Sequence, residues 1–158
     1  MKTAVDRFSY TYRKGFGGDN LVDYVIALEA LFSENSESIG YKLRCRIPIL
    51  VGIDSSIDAK KKIRNYTSTA YKIRSAVVHG DQAWKELIPK EMEKLSKNLD
   101  SGEINFSAHF LPEIREIVRI AIYRFVTLTS SGIEKSSVLQ IIDDALLSKD
   151  SEKYLRRL

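Results

Sequence analysis

The sequence AKKKIRNYTSTAYKIRSAVVHG, residues 59–80, decides the fold class of this chain. Its apolar residues step by four and three positions, which is the spacing of one face of an α-helix. These residues are Ala59, Ile63, Tyr66, Ala70, Ile73 and Val77. Tyr71 and Val78 widen this apolar face, so the segment predicts a central helix that is contacted on more than one side. Gly80 predicts the end of the helix, because glycine readily adopts the left-handed conformation that closes a helix C-terminus.

Helical spacing extends on both sides of this segment, whereas sustained two-residue alternation is hard to find. We expect helices from about Asn20, from about Ser36, from Pro112 and over residues 134–147, and a short surface helix near residues 89–99. The helix from Asn20 has the predicted apolar stripe Leu21, Val25, Leu28 and Phe32. The helix from Pro112 has the predicted inward residues Ile114, Ile117, Val118, Ala121, Phe125 and Leu128. Pro48 predicts a kink or an early end of the second helix, because proline lacks an amide donor. Pro89 is interpreted as a first-turn residue. The pattern predicts an all-α bundle of five to six helices joined mostly by short loops.

A chain of 158 residues is the size of one ordinary domain. Residues 1–18 are interpreted as an N-terminal arm or linker, which ends in a glycine-rich loop that we expect to act as a hinge. Residues 19–148 form the predicted helical domain. Residues 149–158 form a tail that is expected to make another turn or to fray.

Composition limits the classes of function. One cysteine excludes an internal disulfide framework, and with only two histidines the chain lacks the ligands of a structural zinc site. We therefore expect neither a metal nor a cofactor. No segment is typical of an export signal or a membrane span, which predicts a cytoplasmic protein without membrane contact. The 25 Lys and Arg against 21 Asp and Glu, a net charge of +4, permit an anionic partner without requiring one.

Arg74 and His79 bracket a mostly apolar run at the end of the predicted central helix. Arginine is a permanent planar cation suited to phosphate, and histidine exchanges protons near neutral pH. Together they supply a base and a cation, which metal-free RNA cleavage requires. The alternative is a histidine that ends a helix and an arginine that packs. On an ideal helix the two lie about 140° and about 7.5 Å apart, so one straight helix would not direct both at one phosphate.

The string from Arg74 to His79 resembles the Arg-x4-6-His motif of HEPN domains, which are all-α modules. Ser75 fits the polar residue that often follows the arginine in these domains. The longer string 71–80 resembles the ApeA-like branch of the family, as do residues 27–32 and residues 43–46. These three blocks occur in the family's order and span residues 20–80.

The resemblance implies a homodimer in which Arg74 and His79 of both protomers face a shared cleft. It further implies a metal-independent endoribonuclease of phage-defence or toxin–antitoxin systems. His79 would be the general base and then the acid, Arg74 would bind the scissile phosphate, and Ser75 would orient one of them. The second hypothesis is a non-catalytic module of the same fold that binds a nucleotide or a protein, with an upstream domain or an antitoxin-like partner.

Further residues support these hypotheses. Arg46 and Lys72 are candidate RNA-binding residues, and Glu29, Tyr71 and Gly80 are candidate supports of the site. Glu29 is expected to pair inside the bundle with Arg44, Arg46 or Arg64, because a buried arginine requires such a partner. In that case Glu29 and Arg46 would be structural. The remaining basic side chains are either RNA contacts or a solvated face: Lys42, Arg44, Lys60, Lys61, Lys62 and Arg64.

Overall fold

The computed structural model describes residues 1–13, 18–35, 37–80 and 84–157. Over these residues every regular element is a helix and no strand is present, which confirms the predicted all-α class. The elements in chain order are α1 Lys2–Thr11, α2 Gly18–Phe32, α3 Ile39–Val51, α4 Ile57–Val78, α5 Trp84–Leu99, a π-helix Phe106–Phe110, α6 Leu111–Ser130, α7 Lys135–Leu147 and α8 Lys149–Arg157.

Helix α4 is central, as its apolar pattern predicts. It packs against α2, α3, α5 and α6, and its middle third is buried through Tyr66, Ala70 and Ile73. Val78 is an exception, because it is 51% exposed and does not widen the buried face. The ring of Tyr66 stacks on Phe110 with centroids 5.5 Å apart, which fastens α4 to the π-helix that precedes α6.

Helices α3 and α4 run antiparallel and in close contact. A Cβ atom at Gly40 would lie 2.7 Å from the ring of Tyr71 near the end of α4. At the other end of the pair, a Cβ atom at Gly52 would lie 3.0 Å from Lys60 near the beginning of α4. The half-buried Tyr71 therefore supports the fold by packing on the first turn of α3.

The predicted apolar stripes of the other long helices are confirmed. In α2 the stripe Leu21, Val25, Leu28 and Phe32 is buried. In α6 the buried residues include Ile114, Ile117, Val118, Ala121, Phe125 and Leu128. Phe32 and Phe125 meet edge to face, with ring centroids 5.1 Å apart, and join these two helices at the core.

The helix count and the Pro89 prediction need correction, and of the two expectations for Pro48 only the early end is contradicted. The described residues form eight α-helices rather than five to six, because residues 2–11 and 149–157 are also helical and pack on the bundle. Ala4 is fully buried and Leu155 is 5% exposed. Helix α3 continues past Pro48 to Val51, since a proline removes one ladder bond only and the amide of Gly52 still donates to the Pro48 carbonyl at 3.1 Å.

Pro89 lies inside α5 rather than in its first turn, because the helix already begins at Trp84. Its missing amide removes one ladder bond near the N-terminus, and burial of Met92 and Leu95 holds the helix on the bundle. The part of the chain that the structure describes has no helix with the length and apolar character needed to cross a membrane.

Candidate functional site at the end of α4

The C-terminal end of α4 presents His79 to solvent. The helix ends at Val78, and Gly80 has φ +71°, the left-handed conformation predicted for it. The amide of His79 donates to the Ser75 carbonyl at 3.0 Å, and the amide of Gly80 donates to the Val77 carbonyl at 3.3 Å. The side chain of His79 has no hydrogen bond or ion pair with any described residue, so both imidazole nitrogens are available to a ligand.

Glu29 on α2 holds Arg74, so the expectation that it pairs with Arg44, Arg46 or Arg64 is wrong. Nη2 of Arg74 donates to Oε2 of Glu29 at 2.9 Å, and the two side chains are 19% and 14% exposed. The pair has a single contact: Nε of Arg74 and Oε1 of Glu29 are buried and have no partner among the described residues. Burial raises the pKa of Glu29, and the positive charge of Arg74 opposes that shift. Arg74 therefore has a restrained position and a partly neutralised charge.

Arg74 and His79 diverge within one chain. Regular helix continues from Arg74 to Val78, so the ideal separation of about 140° around the axis applies to the two residues. Arg74 faces α2, whereas His79 faces solvent. The expected divergence is thus present, and one protomer does not place the imidazole and the guanidinium on one face of α4.

Ser75 lies between these residues and is half-buried. Its carbonyl accepts the backbone amide of His79, which fixes the last helical turn. Among the described residues its hydroxyl has no hydrogen bond to Arg74 or to His79. The orienting role of Ser75 stays a prediction.

Arg46 occupies a structural position. Its Nε and Nη2 donate to the two carboxylate oxygens of Asp143 on α7, at 2.8 and 2.6 Å, and its Nη1 donates to the Phe32 carbonyl at 2.7 Å. The hydrogen bonds to Asp143 raise the pKa of Arg46 further, against the effect of burial. Arg46 thus caps the end of α2 and ties it to α7. All three guanidinium nitrogens donate within the fold, as the structural alternative for Arg46 expects. No guanidinium nitrogen of Arg46 is left free to bind RNA.

Lys72 pairs with Glu91 on α5, and here the charges are unequally buried. The carboxylate side chain is 9% exposed, whereas the lysine is 51% exposed. Sequence reasoning missed both Glu91 and Asp143. These carboxylates lie 19 and 97 positions from their partners, and no local spacing signals such a pairing.

Neither a family model nor a curated protein nor a solved structure matches this chain. Among the described residues, no cluster of three or more His, Cys, Asp or Glu residues is placed to hold a metal ion. The HEPN resemblance and the catalytic roles of Arg74 and His79 stay predictions that depend on the motif residues.

Proposed function

We propose that the protein is a metal-independent endoribonuclease of the HEPN type that acts as a homodimer. The observation that carries this proposal is the exposed imidazole of His79, which has no partner among the described residues and lies at the end of the helix that also holds Arg74. A general base must be free to approach its substrate, and His79 satisfies that condition. Nη1 of Arg74 has no hydrogen-bond partner among the described residues, so this cation retains a donor for phosphate.

The proposed reaction is an internal transfer at the scissile phosphate. The imidazole of His79 takes the proton of the ribose 2′-hydroxyl, and the 2′-oxygen attacks phosphorus. Arg74 stabilises the extra negative charge of the phosphorane. The bond from phosphorus to the 5′-oxygen then breaks, and the imidazolium returns its proton to that leaving oxygen. The products are a 2′,3′-cyclic phosphate and a 5′-hydroxyl.

The dimer is part of the proposal because Arg74 and His79 diverge on one helix. A second copy across a two-fold axis would supply an arginine to face the histidine of the first copy. Light scattering at micromolar concentration should then report twice the mass of the 158-residue chain. A protein that stays monomeric over a wide concentration range and still cleaves RNA would contradict the shared site.

A specific observation favours the second candidate, a non-catalytic module of the same fold that binds a nucleotide or a protein. Glu29 already pairs with Arg74, and both side chains are largely buried. Such a pair stabilises the junction of α2 and α4 and lowers the charge available to a scissile phosphate. A role in phage defence or in a toxin–antitoxin pair is proposed from the HEPN resemblance alone.

The deciding experiment measures RNA cleavage and thermal melting on the same samples in the presence of EDTA. His79→Ala should reduce cleavage by about 100-fold or more, the typical effect of losing a general base. Its stability should change by less than about 1 kcal/mol, because His79 is exposed. The matched control is His109→Asn. In the parent protein the amide of Asn105 donates to His109 Nδ1 at 3.0 Å, and the asparagine side chain keeps an acceptor at this position.

Three outcomes would contradict the enzyme proposal. The first is cleavage by His79→Ala at the parent rate. The second is an equal loss of cleavage in the control variant. The third is activity that EDTA abolishes and magnesium restores, because that result indicates metal chemistry at another site. A parent protein that cleaves no RNA but binds a nucleotide would support the second candidate.

A further inference from the structure

The basic residues at the beginning of α4 divide between different faces of the bundle. Lys60 pairs with Glu152 of α8 at 2.6 Å, and Lys62 pairs with Glu113 of α6 at 2.8 Å. These two lysines therefore tie α4 to its neighbours. Lys61 makes only an exposed pair with Asp58 in its own helix, and such pairs contribute little.

Three basic residues of α4 and the adjoining His79 share a solvent face, whereas Arg74 faces α2. At 100° per residue, Lys61, Arg64, Lys72 and His79 fall within about 80° around the helix axis. All four side chains are exposed. The stripe from Lys61 to His79 is about 27 Å long at 1.5 Å per residue. It leads along α4 to the imidazole of the candidate site.

Helix α5 forms one wall beside this stripe. Contact between Lys72 and Glu91 fixes one end of the wall. At the other end Arg64 and Asn65 of α4 share a cleft of about 530 Å³ with Asn98 of α5. Helix α5 therefore runs antiparallel to α4. Lys94 lies between Glu91 and Asn98 on the same side of α5, and it is exposed.

Helix α3 forms the opposite wall. Because Gly40 contacts Tyr71, and Arg44 lies one turn beyond Gly40, Arg44 borders α4 near Ser68. Arg44 is exposed, and its guanidinium lies 5.8 Å from the ring centroid of Tyr41, which is 62% exposed. An open aromatic ring thus stands beside the basic stripe.

The charges of this basic groove do not balance locally. The basic groove is defined by five cations, which are Arg44, Lys61, Arg64, Lys72 and Lys94. In the part of the chain that the structure describes, the acidic side chains that line it are Asp58, Glu91 and Asp100. Among the described residues, Arg44, Arg64 and Lys94 have no carboxylate partner. Cations without local partners attract a polyanion, and an exposed ring beside them suits an unpaired base.

We propose that single-stranded RNA binds along the basic groove, with phosphates on Arg44, Arg64 and Lys94 and a base stacked on Tyr41. That the RNA strand leads toward His79 rests on the proposed function. The contacts with phosphate and base are independent of that function. An aromatic side chain among spaced cations is the arrangement that binds single strands without sequence preference. A double-stranded ligand would offer no free base to the tyrosine ring.

Binding can be measured apart from cleavage by placing every variant in a His79→Ala background. The probe is a fluorescein-labelled oligouridylate of about 15 nucleotides, which covers one binding site of this kind. Anisotropy titrations from about 50 to 200 mM KCl give the slope of log affinity against log salt. Arg64→Ala with Lys94→Ala should lower the magnitude of that slope by about 1.4, because each lost phosphate contact removes about 0.7.

The charge control is Arg119→Ala with Lys97→Ala, which removes the same two residue types from pairs with Glu116 and Glu93. Its salt slope should equal that of the parent. Tyr41→Ala should weaken binding about fivefold or more with no change of slope, because stacking carries no counterion term. Tyr123→Ala, which removes another exposed tyrosine, should bind as the parent does.

The outcomes separate this inference from the proposed function. If Arg64→Ala with Lys94→Ala has the same slope of log affinity against log salt as the His79→Ala background, the proposal of RNA binding in the basic groove is wrong. This holds even where the protein with intact His79 cleaves RNA. Binding that depends on the groove supports this inference, even where cleavage is absent and the enzyme proposal fails. A parent that binds no oligouridylate at about 50 mM KCl also overturns the groove. Melting curves equal to that of the parent verify that each variant is folded.

Discussion

Replacement of Arg46 by alanine tests whether this residue belongs to the fold or to a nucleic-acid interface. Its guanidinium contacts both oxygens of Asp143 and the Phe32 carbonyl, and its side chain is 9% exposed. Truncation removes three charge-assisted hydrogen bonds at once. It leaves the carbonyl at the end of α2 and the carboxylate on α7 without their donor.

The magnitude follows from the exposure of the two partners. Removing one partner of a buried ion pair costs about 3–5 kcal/mol. Asp143 is 40% exposed, so water solvates the carboxylate that remains and lowers the loss for Arg46→Ala to about 2–4 kcal/mol. For a chain of this length, about 3 kcal/mol lowers the melting temperature by about 6–12 °C. Asp143→Ala should cost more, because it leaves the buried guanidinium unpaired.

Thermal melting by circular dichroism and urea denaturation measure these losses. The control is Arg119→Ala, an exposed arginine whose pair with Glu116 lies within one helix, and its effect should stay within about 0.5 kcal/mol. The double variant of Arg46 and Asp143 should lose less than the two single variants added together. The reasoning is refuted if Arg46→Ala melts within about 2 °C of the parent. If Arg46→Ala melts as the parent does but binds RNA more weakly, Arg46 belongs to the nucleic-acid interface.

Two further predictions concern the ends of α2 and α4. Because burial raises the pKa of Glu29 above its ordinary 4.5, the folded state binds a proton that the unfolded state has released. The contribution of Glu29 to stability should therefore be largest below about pH 4.5 and should fall as pH rises through the pKa of the folded state. Urea denaturation of the parent and of Glu29→Gln at several pH values measures this dependence. A stability difference that rises with pH contradicts this sign. Gly80→Ala should cost about 1–2 kcal/mol, because alanine disfavours φ +71°, whereas Gly102→Ala, where a Cβ atom meets nothing within 4 Å, should melt as the parent does. Equal shifts in these two glycine variants would contradict the account of the α4 terminus.

Periodicity sufficed for the helical class and for the core faces of the long helices. The stripes of α2 and α6 are buried as predicted, because burial of one apolar face in a helix depends on spacing alone. The end of α4 was also predictable, since Gly80 adopts the left-handed conformation that a glycine after a helix favours. The helices at the two ends of the chain were not predictable. Short helices such as α1 and α8 carry a weak sequence signal, and packing of Ala4 and Leu155 on the bundle holds them.

The candidate site divides in the same way. Sequence alone determined that Arg74 and His79 diverge on one helix, because their angular separation follows from a spacing of five residues. Only the tertiary structure decided which basic residues are free. Arg46 is bound by Asp143, 97 positions away, whereas Arg64 has no carboxylate partner among the described residues. Ion pairing depends on distances between helices that are far apart in the chain, and no local pattern of charge encodes those distances.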